Sequence, residues 1–327
     1  MKGQRGKIRP GDMFLSNDPY KGGSHLPDLT VVCPVFAAGK GIIFFTAARG
    51  HHADIGGISP GSLPPRVDHV NKEGVIVDSF LLVRGGEFRE NEVRKVFTSH
   101  PFPVRNIRER ILDLEAQIAS CHKGKTELEA VIKKYGLETI TYYMNCIQQN
   151  AAFSVRQAFW EILAGKEIHE TVFEDCLDDG SLICVRIVVS AGENPPSTVK
   201  ATVDFTGTGR QHEGDSLNAP LSVTRSAVMY VLRALGSRDI PLNSGCLAPI
   251  HMIVPESTLL NPSFPAPVAT GNVETSQRIV DVLLGAFNVC AASQGTMNNF
   301  LFEVEGDFPY YETVGGGSGA MNGCNGA

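Results

Sequence analysis

Hydrophobic positions fall into three regimes along the chain. Up to about Pro103 they come as short runs between polar segments rich in Gly, Pro, His and Asp. Leu29–Phe36 and Gly41–Ala48 are β-rich and closely spaced, which predicts a hairpin, and Ser79–Val83 ahead of Gly85-Gly86 predicts a further strand and turn. From about Val104 to Gly165 the spacing turns helical: Ile107, Ile111, Leu112, Leu114 and Ile118 recur among Arg, Glu and Gln, so that one face is buried and the other wet. Thr126-x-x-Glu129 fits a capping box opening a short helix that stops at Gly136, and Leu137–Leu163 continues the same period. Beyond it strand and helix alternate. Leu182–Val189, Val199–Phe205 and Ile250–Val254 read as strands, and Val223–Leu235 and Gln277–Ala292 as amphipathic helices.

These regimes predict an α+β (mixed α/β) fold. A β-rich region over 1–103 carries the site, a helical hairpin or three-helix insertion over 104–165 serves as scaffold, and a mixed region follows over 166–327; the three pack as one compact catalytic unit. A lead-in only a few residues long and a glycine-rich end, VGGGSGAMNGCNGA, are unusual domain borders, so the sequence reads as cut from a longer protein at both ends.

Composition narrows the function. With 327 residues, 43% hydrophobic and 20% charged, the chain is ordinary globular material and not disordered, collagenous or coiled-coil. A net charge of −6 and the lack of any Lys/Arg run speak against nucleic acid as a partner. No apolar stretch reaches the roughly 18 residues of a membrane helix, and no apolar segment follows the basic start as in a secretory signal. The eight cysteines are scattered without a Cys-x-x-Cys pair, which predicts reduced thiols and a cytoplasmic location.

The sharpest chemistry lies in SNDPYKGGSHLPD (Ser16 to Asp28) and, one hairpin later, RGHHADIGG (Arg49 to Gly57). His25 and Asp28 are joined by a short, stiff Leu-Pro link that can aim an imidazole and a carboxylate at one centre. His51 and His52 are adjacent, so in an extended segment they face opposite ways and only one of them joins that centre. Such mixed donors suit zinc, manganese or iron(II), and few protein ligands would leave room for water or substrate. The plainer reading of the same residues is a turn started by Asp18, a local cap from Asp28 and a solvated histidine pair. Asn272, Glu274, Thr275, Ser276 and Gln277 form a polar helix entrance that could hold an anionic substrate, although N-capping explains it as well. DFTGTG is too poor in glycine for a phosphate loop, and no G-x-S-x-G elbow is present.

The two histidine-bearing segments, followed in order by DFTGTG, LNAP, LNSGCLAP, GNVETSQRIVD, ASQGTMNN and YYETVGGGSGA, strongly resemble the hydantoinase B family over essentially the whole chain. The resemblance is closest to the 5-oxoprolinase/hydantoinase branch. It implies an ATP-dependent cyclic-amide hydrolase in which an A-type half or subunit with an actin-like fold binds ATP and phosphorylates the lactam oxygen. The B-type portion then opens the activated ring, 5-oxoproline to glutamate, in a heteromeric oligomer. ATP is expected on the partner and not on this chain. Carried onto this sequence, the resemblance makes His25, Asp28 and one of His51 or His52 ligands of a divalent metal, zinc or manganese. The family draws a further aspartate from upstream of Met1.

Asp54 and Asp18 are the candidate catalytic carboxylates, as general base or to fix the tautomer of a ligating histidine. Asn17, Arg49, Asn272 and Ser276 are the candidate substrate contacts. The competing expectations are a carboxylase-type subunit of the acetone carboxylase branch and a non-catalytic docking fragment.

Overall fold

The structure, a computed structural model, describes residues 8–37, 39–64, 66–235, 241–302 and 310–327. The chain divides into two units, one of Met1–Tyr142, His212–Ser216 and Phe264–Ala269, the other of Tyr143–Gln211, Leu217–Ser263 and Thr270–Ala327.

Among the described residues of the first unit, β1 (Met13–Ser16), β2 (Asp28–Ala37), β3 (Gly41–His51), β4 (Phe80–Arg84) and β5 (Glu87–Phe88) form an antiparallel sheet in the order β3-β2-β1-β4-β5. The predicted hairpin is β2–β3. Strand alternation sorts it into two faces. Leu29, Val31 and Cys33 point into a core with Met13, Leu15, Leu82 and the helices α1 (Glu90–Thr98) and α2 (Ile107–Tyr135), which contribute Val93, Phe97, Ile111, Leu114 and Cys121. Asp28 and Thr30 take the other parity. A slip of one residue would drive these polar groups inward and expose three apolar ones, each worth about 1.5–3 kcal/mol for a fully buried leucine- or valine-sized side chain, so the register is firmly specified.

Two buried polar residues hold the loops around this sheet. Asn17 donates through Nδ2 to the carbonyls of Leu26 (2.7 Å) and Val75 (2.9 Å), and its Oδ1 accepts from the Val77 N–H (2.7 Å). Glu73 ties down the returning segment Phe264–Ala269: its Oε1 accepts from the N–H groups of Val268 (2.7 Å) and Ala269 (2.8 Å). The Tyr20 hydroxyl donates to the Ala266 carbonyl, and the Val70 N–H to that of Pro265 (3.0 Å). Glu73 is wholly buried, with Oε2 unpartnered. Burial outweighs the two N–H donors and pushes its carboxyl up to about 8, so the acid is protonated at neutral pH.

In the second unit α3 (Leu137–Leu163, from Tyr143 onward), α4 (Leu221–Leu235) and α5 (Ser276–Ala286) pack on a sheet of β6 (Ile168–Cys176), β7 (Leu182–Ser190), β8 (Lys200–Asp204) and β9 (Ile250–Ile253), ordered β6-β7-β8-β9 among the described residues. Ile183, Val185, Ile187 and Val189 of β7 face Val155, Phe159, Val228, Ile279 and Val282 in its core. β8 and β9 run parallel, which requires a crossover, and α4 lies in it. A π-helical turn, Gly271–Thr275, leads into α5. β10 (Asn299–Phe302) and β11 (Tyr310–Thr313) form an antiparallel pair. Among the described residues no helix is long and apolar enough to cross a membrane.

The fold is mixed α+β, as the periodicity predicts. The helical stretch consists of two long helices, and the division between the units falls after Tyr142. It differs from expectation at Thr126, which opens no helix, because α2 is continuous from Ile107 to Tyr135. Cys121 is buried against β2, with its Sγ on the Val31 carbonyl (3.5 Å), and Gly124 rests on the Thr46 side chain, so packing carries the helix past Lys-Gly-Lys. The Thr126 hydroxyl donates back to the His122 carbonyl (3.0 Å). α5 also stops earlier than predicted, at Ala286, where Phe287 and the left-handed Asn288 end it.

Two predictions follow from these local assignments. Thr126→Ala should lower the unfolding free energy measured in urea by less than about 0.5 kcal/mol, or raise it, since alanine is the better interior helix residue. A loss of about 1 kcal/mol or more would mark a true cap. For Glu73 the folded state holds a proton that the unfolded chain releases near pH 4.5, so its contribution to stability is fully present below that pH and is lost as pH rises towards 8. Glu73→Gln mimics the neutral acid and should be more stable than wild type by about 1–2 kcal/mol at pH 8. Equal stability–pH curves for the two proteins would contradict a neutral Glu73.

Candidate functional site

The polar face of the β2–β3 hairpin gathers the sequence-predicted residues of the first unit. Asp28 and His51 are directly opposed across the two strands, and His51 Nδ1 lies 3.0 Å from Asp28 Oδ1. The His25 ring stacks on that of His51, with centroids 5.3 Å apart and planes 11° from parallel. Ser24 donates to the second Asp28 oxygen (2.9 Å). A tight turn in which the Asp28 N–H bonds the His25 carbonyl (2.9 Å) brings both side chains to the hairpin end. His25 is buried and His51 more than half exposed, so the cluster runs from the interior out to solvent.

Alternation separates the two adjacent histidines. His51 shares the face of Asp28, whereas His52 turns to the α2 side, with Nε2 3.0 Å from Gln117 Oε1. Gln117 in turn donates to the carbonyls of Leu29 (2.9 Å) and Ala48 (3.1 Å), so one amide fastens α2 to both strands. His52 Nδ1 lies 3.7 Å from Asp113.

Electrostatics keep the inner ring neutral. Burial drives the His25 imidazole down to about 4 despite the neighbouring Asp28 carboxylate, so it is uncharged through neutral pH. Burial alone would raise the Asp28 carboxyl, but the His51 hydrogen bond, His25 and Ser24 outweigh it and hold the group below its ordinary range. Burial also lowers the His52 pKa, against the opposing Gln117 hydrogen bond and Asp113.

The remaining predicted residues are committed elsewhere. Asp54 accepts from the N–H groups of Gly56 (3.0 Å) and Arg105 (2.8 Å) and from the Arg105 guanidinium (2.7 Å), while Arg105 also donates to the Gly57 carbonyl (2.8 Å). Gly56 and Gly57 both have positive φ, and a Cβ on Gly57 would meet the Glu73 carbonyl at 2.5 Å, which explains why this loop uses glycine. Asp18 caps the 3-10 turn Pro19–Lys21 through the Tyr20 N–H (3.0 Å) and pairs with Lys21. Asn17 is the buried clamp described above. Arg49 stands beside the cluster, directly opposite Thr30. Asn272 and Ser276 lie in the second unit, where the Ser276 hydroxyl donates to the Asn272 carbonyl (2.7 Å) and Asn272 Oδ1 is buried without a partner.

The donor types suit a divalent cation. His25 Nδ1 is buried and has no hydrogen-bond partner, its ring is neutral, and Asp28 and His51 adjoin it. Among the described residues, however, no three or more His, Cys, Asp or Glu side chains already converge as a ligand group. His25, Asp28 and His51 are the residues that could hold the ion. Sequence reasoning overlooked Ser24, Thr30 and Gln117. For Thr30 the signal was available: counting back from Asp28↔His51 in an antiparallel hairpin places it opposite Arg49.

The model of the family described as hydantoinase B/oxoprolinase matches residues 1–327. The 5-oxoprolinase of Dictyostelium discoideum is 45% identical over 97% of the chain and 24% of its own length, and 5-oxoprolinase 1 of Arabidopsis thaliana 42% identical over 98% and 26%. The chain thus spans about a quarter of the length of these curated relatives. Among solved structures, the ATP-dependent caprolactamase from Pseudomonas jessenii shares the fold, with a TM-score of 0.79 at 23% identity, covering 95% of this chain and 53% of its own. On the match along its full length and the identity to these relatives, the chain belongs to the hydantoinase B/oxoprolinase family.

Proposed function

We propose that this chain is the B-type portion of an ATP-dependent cyclic-amide hydrolase of the 5-oxoprolinase kind, opening 5-oxoproline to glutamate on a ring whose oxygen an A-type ATPase partner has phosphorylated. The reading is carried by the His25–Asp28–His51 cluster, assembled at the open end of a hairpin in a chain 45% identical to a 5-oxoprolinase.

Chemically, an unactivated amide resists water because its carbonyl is resonance-stabilised. Once the oxygen is phosphorylated, the ring carbon takes a water oxygen and the C–N bond breaks, with a proton passing to the nitrogen. The resulting acyl phosphate loses phosphate to a second water. His25, Asp28 and His51 would hold a zinc or manganese ion, which when bound would supply a water whose pKa is lowered towards ~7.

This chain's own residues set up the site. Neutral His25 offers a lone pair from inside the fold. Asp28, ionised and doubly hydrogen-bonded, fixes the His51 ring from its Nδ1 side, and exposed His51 marks where substrate enters. Asp54 and Asp18, committed to backbone N–H groups, shape the flanking loops and are better suited to positioning than to proton transfer.

Metal content and ring opening should be measured on the chain assembled with its A-type partner, for wild type, His25→Ala, Asp28→Ala and His52→Ala. Loss of bound metal and a fall of at least about 100-fold in turnover are expected for the first two. His52→Ala should keep its metal and lose stability instead, by about 1–3 kcal/mol, since it strands the buried Gln117 oxygen. Full activity in a metal-free wild type, or unchanged turnover in His25→Ala, would defeat the proposal.

A further inference from the structure

The guanidinium of Arg49 is oriented with unusual care for a solvent-facing cation. Arg49 and His51 lie two residues apart on β3, so they share a face and stand roughly 7 Å apart along the strand. Their cross-strand partners are Thr30 and Asp28, which makes Thr30↔Arg49 and Asp28↔His51 consecutive pairs on one face. Arg49 Nε donates to Thr30 Oγ1 (2.9 Å), and Nη1 reaches Ser24 Oγ (3.4 Å). Ser24 has a single hydroxyl proton and gives it to Asp28 (2.9 Å), so it presents only a lone pair to the guanidinium. One serine therefore links the carboxylate of the cluster to the arginine.

What is missing is a counter-ion. Arg89, Arg94, Arg105 and Arg110 of the same unit each have a carboxylate within 3.1 Å, whereas among the described residues Arg49 has none; Arg9, Arg66, Arg84 and Arg108 lack one too, but Arg49 differs from those four in that its guanidinium is held by two side-chain hydroxyls. Two neutral hydroxyls fix its direction without cancelling its charge, and the free edge of the fork is left to solvent. Planar, fixed and uncompensated, it is the arrangement suited to an incoming oxyanion.

We propose that Arg49 is the specificity residue that recognises an anionic group on the substrate of the His25–Asp28–His51 site, selecting cyclic amides that carry an oxyanion close to the scissile bond. The inference rests on the cyclic-amide hydrolase reading. The oxyanion has two sources: a carboxylate on the ring carbon next to the nitrogen, or the phosphoryl group on the activated carbonyl oxygen.

The assay uses the assembled enzyme with 5-oxoproline as substrate and 2-pyrrolidinone, the same ring without the carboxylate, as competitor, for wild type, Arg49→Ala and Arg49→Lys. For a carboxylate, Arg49→Ala raises the KM for 5-oxoproline about ten- to a hundred-fold and leaves the Ki of 2-pyrrolidinone unchanged, and Arg49→Lys recovers part of the loss. For the phosphoryl group, KM holds and kcat falls by a similar factor, which supports the oxyanion assignment with that source. KM and kcat within twofold of wild type in Arg49→Ala overturn the proposal. So does a parallel rise in the KM and in the Ki of the uncharged ring, which reports a damaged site. A wild type inert on 5-oxoproline defeats the functional reading first, and the inference with it.

Discussion

The rule that side chains alternate across a strand governs this molecule more than any single contact. In β2 and β3 it assigns Leu29, Val31 and Cys33 to the core and Asp28, Thr30, Arg49 and His51 to the opposite face. Because the apolar face is buried against α2, the hairpin cannot slide, and the polar face inherits a fixed register at no further energetic cost. Two neighbouring pairs, one acid–imidazole and one hydroxyl–guanidinium, are thus held at a set spacing by forces that act on the other side of the sheet.

Around this frame most of the charged and amide side chains that look reactive in the sequence serve the backbone. Asn17 satisfies three peptide groups, Asp54 binds two N–H groups and a guanidinium, and Asp18 caps a turn. Such buried polar contacts are costly to break, which is why irregular loops can be placed as firmly as strands. The residues whose polar atoms do not serve the backbone in this way include His25 with its bare Nδ1, exposed His51, and Arg49, whose guanidinium donates to two hydroxyls and has no carboxylate partner among the described residues.

Elements with a strong period were legible from the sequence. The β2–β3 hairpin, α3 and the β7–β8 pair emerge from apolar spacing alone, and the parity of His51 and His52 follows from an extended backbone. What escaped was set by tertiary context. β6 carries IHETVFEDC on the edge of its sheet, where little is buried and no clean alternation is imposed. β1 is four residues long, and its place at the centre of the sheet depends on partners far away in sequence. Thr126 resembled a cap because Glu129 follows three residues later, and only contact with Thr46 and Val31 explains why the helix runs on through Gly124. The structural duties of Asp54 and Asn17 required knowing which loops meet.

Gln117 also settles the protonation of its neighbour. Two carbonyls claim the amide nitrogen, so the oxygen must be the atom that faces His52, and an oxygen there can only accept. The imidazole therefore carries its hydrogen on Nε2 and keeps a bare Nδ1 in the protein interior, facing Asp113. Of two consecutive, chemically identical rings, one holds a hydrogen on Nε2 against an amide oxygen and the other on Nδ1 against the Asp28 carboxylate. The division of labour between them is written in hydrogen positions as much as in the direction of their side chains.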